Sequence, residues 1–274
     1  MLSKTLKYNV ALFFFFLFGI KTFAAEVDTV MTHSASMQKD IKAVVITPAK
    51  YSKKKKYPVV YLLHGYSGNY SDWVKKVPAI KSYADAYNLI IVCADGNYNS
   101  WYIDSPEKEN SRYDTYISSE LVTFIDNTYS TIATRKGRAI TGLSMGGHGA
   151  LSLAFKHQDV YGAAGSMSGG VDLKPFEKNW ELAEYLGPSA RYPERWSAYS
   201  VTDLVYLLKP DALQLTIECG QDDFFYGVNV QLHDKLTANK IPHRFTASPG
   251  SHTWEFWANA VQYQLLFFQN QFQK

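Results

Sequence analysis

The chain has 274 residues, 46% of them hydrophobic and 15% aromatic with only 19% charged, which excludes a disordered chain and suits one large globular domain or at most two small ones. The formal charge of +3 belongs to the N-terminus, where Lys4, Lys7 and Lys21 stand among 25 residues without an acid; the remainder is balanced. A balanced body has no general attraction for phosphate backbones or anionic lipid, which argues against nucleic acid and membrane surfaces as partners.

Lys4 and Lys7 precede an apolar run of 11 residues, Val10 to Ile20, and Thr22-Phe23-Ala24-Ala25 supplies small residues for cleavage. At about 1.5 Å per residue this run reaches roughly 17 Å, well short of the ~30 Å hydrocarbon core. Residues 1–25 are therefore expected to be a secretory signal peptide, and 26–274 a single domain exported to a periplasm or beyond the cell, with no membrane attachment after cleavage. Cys93 and Cys219 each sit within an apolar strand-like run and are expected as buried free thiols. The lysine run 53–56 reads as a solvated turn.

Apolar runs of strand length follow in order: a first alternating stretch near 28–36, then 41–47, 58–63, 89–94, 138–142, 163–167, 213–219 and 244–248, about eight in all. Segments of helical period lie at 71–87, 119–129, 147–156, 228–239 and 254–272. The middle strands are continuously apolar, as in a parallel sheet covered on both faces, so the pattern predicts a doubly wound α/β domain after two leading strands. Residues 171–210 break the rhythm and carry Phe176, Trp180, Tyr185, Tyr192, Trp196, Tyr199 and Tyr206. They are read as an aromatic-rich insertion over the carboxyl ends of the strands, where open α/β sheets bind ligands, or else as a crossover whose rings fill the core.

The sharpest signal is Gly142-Leu143-Ser144-Met145-Gly146-Gly147, a Gly-x-Ser-x-Gly placed where a strand ends and a helix begins. A sharp turn there requires small flanking residues and lifts the Ser144 hydroxyl above the sheet, at the N-terminus of a helix. A hydroxyl becomes a useful nucleophile only when a base removes its proton and an acid orients that base, in the chain order Ser, acid, His for this topology. Asp222 and Asp223 lie in the turn after the strand ending at Cys219, and His252 lies after the next strand. Of the seven histidines, His148 is too close in sequence to Ser144 to oppose it, while His33, His157, His233 and His243 fall on or beside other predicted elements. The turn Leu63-His64-Gly65-Tyr66 follows the third strand, and its glycine lets the chain bend so that the Tyr66 main-chain N–H meets a developing oxyanion together with that of Met145.

Leu63-His64-Gly65, Gly142 to Gly147, Gly220-x-x-Asp223 and Pro249-Gly250-Ser251-His252-Thr253-Trp254 together resemble the esterase family related to esterase D, over about residues 34–268. That family includes feruloyl and acetylxylan esterases, tributyrin esterases, S-formylglutathione hydrolases and mycolyltransferases. The resemblance implies an α/β-hydrolase fold and a serine esterase in which Ser144 is the nucleophile, His252 the general base and Asp223 the acid, three residues after the matching Gly220, with Asp222 second. It also implies that the loop from Asp95 to Tyr102 borders the acyl site, with Trp101 as a pocket wall, and that no metal or organic cofactor takes part. No Cys, His or Asp cluster in the sequence has ligand spacing.

An exported chain would not meet the cytosolic thioester of S-formylglutathione hydrolases. A site ringed by Trp101, Trp180, Trp196 and tyrosines suits sugar or phenolic esters, so acetyl or feruloyl groups on carbohydrate fragments are the expected substrates. Esters of short-chain lipids or siderophores, acyl transfer to a sugar hydroxyl, and a non-catalytic carbohydrate-binding protein are the competing readings.

Overall fold

The computed structural model describes residues 24–273. The expected leader lies almost entirely outside the described residues. Two strands, β1 (Glu26–Ser34) and β2 (Lys39–Thr47), open the chain as an antiparallel hairpin. Then come β3 (Val59–Leu63), α1 (Asp72–Lys76), α2 (Ile80–Tyr87) and β4 (Ile90–Ala94). The expected single helix over 71–87 is thus two, and Pro78 stands in the break, where it has no N–H to donate and restricts the residue before it.

A longer connection leads through α3 (Tyr113–Thr115), a π-helical turn (Tyr116–Leu121) and α4 (Val122–Thr128) to β5 (Arg138–Gly142) and α5 (Met145–Lys156). After β6 (Ala163–Met167) the insertion folds as short helices, including α6 (Leu182–Leu186) and α7 (Pro193–Tyr199). The chain closes with β7 (Gln214–Gly220), α8 (Tyr226–Ala238), β8 (His243–Ser248) and α9 (Trp254–Phe272).

The strands form one sheet of eight in the order β1-β2-β4-β3-β5-β6-β7-β8, antiparallel at β1 and β2 and parallel from there on. The five central strands β3 to β7 are buried almost throughout because helices cover both faces. On one face Ile140, Ala164, Leu215 and Ile217 pack against Leu151 and Phe155 of α5, Ile125 of α4 and Leu232 of α8. On the other, Val60, Leu62 and Ile91 pack against Trp73 of α1, Ile80 and Ala84 of α2, and Val261 and Leu265 of α9. Parallel strands point their carboxyl ends the same way, so the turns after β3, β5, β7 and β8 all open at one edge. Cys93 and Cys219 are buried and unpaired, as expected.

Candidate active site

The turn from β5 into α5 is built by its glycines. A Cβ on Gly142 would fall 2.6 Å from the Gly146 main chain, and one on Gly146 would fall 2.7 Å from Leu63 O, so neither position has room for a side chain. Ser144 between them has φ +54°, a conformation that costs a non-glycine residue of order 1–3 kcal/mol. Its N–H donates to Met167 O at 2.9 Å, which ties the strained residue to β6 and leaves the hydroxyl facing out of the sheet. Its whole residue is 8% exposed.

His252 arrives from the loop after β8. Its Nε2 lies 2.9 Å from Ser144 Oγ and its Nδ1 2.8 Å from Asp223 Oδ2. The Asp223 side chain is wholly buried, and its other oxygen accepts from the Phe225 N–H at 2.8 Å. An acceptor-only carboxylate on Nδ1 requires the proton there, so Nε2 is left as the acceptor for the serine hydroxyl. Asp222, next along, is exposed and takes no part, although its N–H donates to Gly250 O at 3.0 Å. That bond, with the Gln221 N–H to Ser248 O bond at 2.9 Å, holds the β7 and β8 turns side by side. Gly250 permits the approach: its φ is +145°, and a Cβ there would meet Phe256 at 2.6 Å. Rings hold the imidazole in place, Phe224 at 4.2 Å and Trp257 at 4.8 Å between centroids.

The turn after β3 lies directly over the serine. His64 is buried; its Nε2 accepts the Gly96 N–H at 2.8 Å, so the ring proton is on Nδ1 and donates to Gly65 O, also at 2.8 Å. Burial holds the His64 pKa below its ordinary value, consistent with this neutral form. The ring thus clamps the turn that leads into Tyr66. Among the described residues no oxygen accepts from the main-chain N–H of Tyr66 or of Met145, so both remain available beside Ser144. The turns 64 to 66 and 142 to 146 thus meet at Ser144, and each carries a main-chain N–H without a main-chain acceptor.

The groove above the triad has a volume of about 320 Å³ and is walled by Tyr66, Trp180, Phe224, Trp254 and Trp257, with Lys76 at its rim. Trp101, expected in this wall, is corrected by the structure: it is 1% exposed, its ring packed beneath Trp180 at 5.8 Å and edge-on to His148 at 5.5 Å. Its loop leads it under the insertion, and the insertion supplies the face instead. Trp196 is likewise interior, its indole N–H donating to Gly187 O at 3.0 Å. Of the expected tryptophans only Trp180 reaches the groove. Phe224, Trp254 and Trp257 were missed, though they adjoin Asp223 and His252, and Trp254 and Trp257 share one helical face by their three-residue spacing. Among the described residues no group of three or more His, Cys, Asp or Glu side chains is arranged to hold a metal.

A strained serine on a strand-to-helix turn, with a histidine and a buried aspartate in line behind it, defines a serine hydrolase of the α/β-hydrolase fold. The chain belongs to the esterase family described as "Putative esterase", which matches residues 34–268, and it is a carboxylic ester hydrolase. It is 27% identical over 258 residues to an acetyl esterase of Caldicellulosiruptor saccharolyticus, covering 84% of this chain and 95% of that one. It is 26% identical to an S-formylglutathione hydrolase of Bos taurus, covering 83% and 88%. A solved ferulic acid esterase superposes with a TM-score of 0.78 at 27% identity, over 91% of this chain and 99% of that one.

Proposed function

We propose that this protein is an exported esterase that removes acetyl or feruloyl groups from carbohydrate esters, with Ser144 as nucleophile, His252 as general base and Asp223 as the acid that orients it. The observation that carries the reading is the unbroken line from Ser144 Oγ to His252 Nε2 at 2.9 Å and from His252 Nδ1 to Asp223 Oδ2 at 2.8 Å, at the floor of an aromatic groove. The Oγ atom attacks the ester carbonyl carbon while its proton passes to Nε2. The resulting oxyanion accepts from the Tyr66 and Met145 N–H groups. As the adduct collapses the ester C–O bond breaks and the Nε2 proton goes to the leaving alcohol, which leaves an acyl-serine. A water then attacks that acyl group, gives its proton to His252, and the proton returns to Ser144 as the acid departs.

The aromatic walls support a sugar or phenolic ester, since Trp180 and Trp254 offer flat apolar faces with room between them. The acetyl esterase and ferulic acid esterase among its relatives support the same class. Export rests on the basic and apolar leader of residues 4–25.

The test is kcat/KM of the chain lacking residues 1–25 on methyl ferulate and on an acetylated xylo-oligosaccharide, beside Ser144→Ala. Turnover of either, lost in the variant, is expected. Cleavage of a nitrophenyl ester alone would keep the mechanism and reject the carbohydrate substrates; product carrying the acyl group on an added sugar would assign a transferase.

A further inference from the structure

Glu218 has no role in this scheme, yet its place in the sheet is costly. It is 4% exposed, and its Oε1 is buried without a hydrogen-bond partner. Burial raises its pKa to about 7 even though the Arg244 guanidinium favours the charged form. Its neighbours Leu215 and Ile217 point to the α5 face of the sheet, so by the alternation of a strand Glu218 points to the α9 face. There it lines a cavity of about 240 Å³ with Arg244, Thr246 and Ser248 of β8 and Asn259 and Tyr263 of α9. β8 is the last strand of the sheet, so the cavity lies at an open edge.

The lining brings together a carboxyl, a guanidinium, a carboxamide, the hydroxyls of Thr246, Ser248 and Tyr263, the Ala260 methyl and two aromatic rings, Phe256 buried and Tyr263 44% exposed. Glu218 and Arg244 are the only acid and the only base in the lining, so the cavity holds no cluster of like charge that would select an ion. The lining is not apolar throughout, since Arg244, Thr246, Ser248 and Asn259 bring groups that donate and accept hydrogen bonds. Planar groups that donate and accept at fixed angles suit neighbouring hydroxyls, and the Tyr263 ring suits the C–H face of a pyranose. We propose that this cavity is an accessory saccharide-binding subsite that takes a neutral pyranose unit of the carbohydrate to be deacylated. The identity of that carbohydrate rests on the function proposed above. Ser248 ends the strand that leads into the His252 loop, and Asn259 and Tyr263 stand on the same helix, α9, as Trp254 and Trp257 of the groove.

The test uses the Ser144→Ala chain titrated with unesterified xylohexaose by calorimetry, alone and with Arg244→Ala or Tyr263→Ala added. Both added changes fall on exposed side chains, and melting midpoints check that each variant is folded; Asn259→Ala replaces either that is not. Each is expected to raise Kd at least fivefold. A Kd within twofold of the parent in the folded variants, no measurable binding by the parent, or loss of all binding on Trp180→Ala in the catalytic groove would overturn the subsite. Hydrolysis of methyl ferulate and of the acetylated xylo-oligosaccharide by the native chain is measured separately: if both are absent while Arg244→Ala still weakens xylohexaose binding, the carbohydrate-esterase reading fails and the subsite stands.

Discussion

Gly65 and Ser144 approach so closely that a Cβ on the glycine would stand 3.4 Å from the serine Cβ and 2.6 Å from Leu143 Cδ1. The turn after β3 thus rests on Ser144 itself, with no side chain between them. Gly65→Ala is therefore expected to push the Tyr66 N–H away from the oxyanion position. Loss of one such donor costs about 10²–10³ in kcat, and burst kinetics with a nitrophenyl ester would read it as slowed acylation. Retention of the parent kcat would show that the turn has room to move.

The two aspartates after β7 separate cleanly. Asp223→Asn is expected to lower kcat by about 10⁴, because an amide that donates to Nδ1 favours the wrong imidazole tautomer. Asp222→Asn, at an exposed position, is expected to leave kcat within about twofold. Steady-state rates of the two variants side by side check the assignment.

Trp101 and Trp180 touch, yet their losses should differ in kind. Trp101→Ala removes a ring that is 1% exposed and is expected to cost about 3–5 kcal/mol of stability, read by denaturant unfolding. Trp180→Ala opens the groove wall and is expected to raise KM for methyl ferulate while sparing a small acetyl ester. Equal effects on both esters would remove Trp180 from specificity.

Glu218 gives stability a pH dependence. Its carboxyl holds a proton more tightly folded, at about 7, than unfolded, near the ordinary 4.5. The native state then binds more protons in that window, so this group's contribution to stability falls as pH rises from about 4.5 to 7 and levels off above. Glu218→Gln cannot ionise and is expected to gain on the parent by about 2–3 kcal/mol between pH 4 and pH 8. Urea unfolding at both values measures it; a constant difference would mean that Glu218 ionises normally.

The sequence by itself determined the sheet and the centre of the site. Strand runs such as 58–63 and 89–94 contain β3 and β4 because continuous apolar stretches of that length are buried between two layers of helix. Ser144 and His252, and the pair Asp222 and Asp223, could be placed because each lies in a turn directly after a strand, so local sequence sets its position at the sheet edge, while the preference for Asp223 over Asp222 came from the family resemblance. Only the tertiary structure decided which rings line the groove. Trp101, Trp180 and Trp196 are alike in sequence, but the insertion carries Trp180 over the groove and closes Trp101 beneath it, while Trp196 turns inward to Gly187. The burial of Glu218 was equally hidden, since it depends on α9 and β8 folding back over β7. Residues that depend on their own strand or turn can be read from local pattern, whereas walls and cavities are made by segments far apart in the chain, whose side chains acquire a direction only when the layers pack.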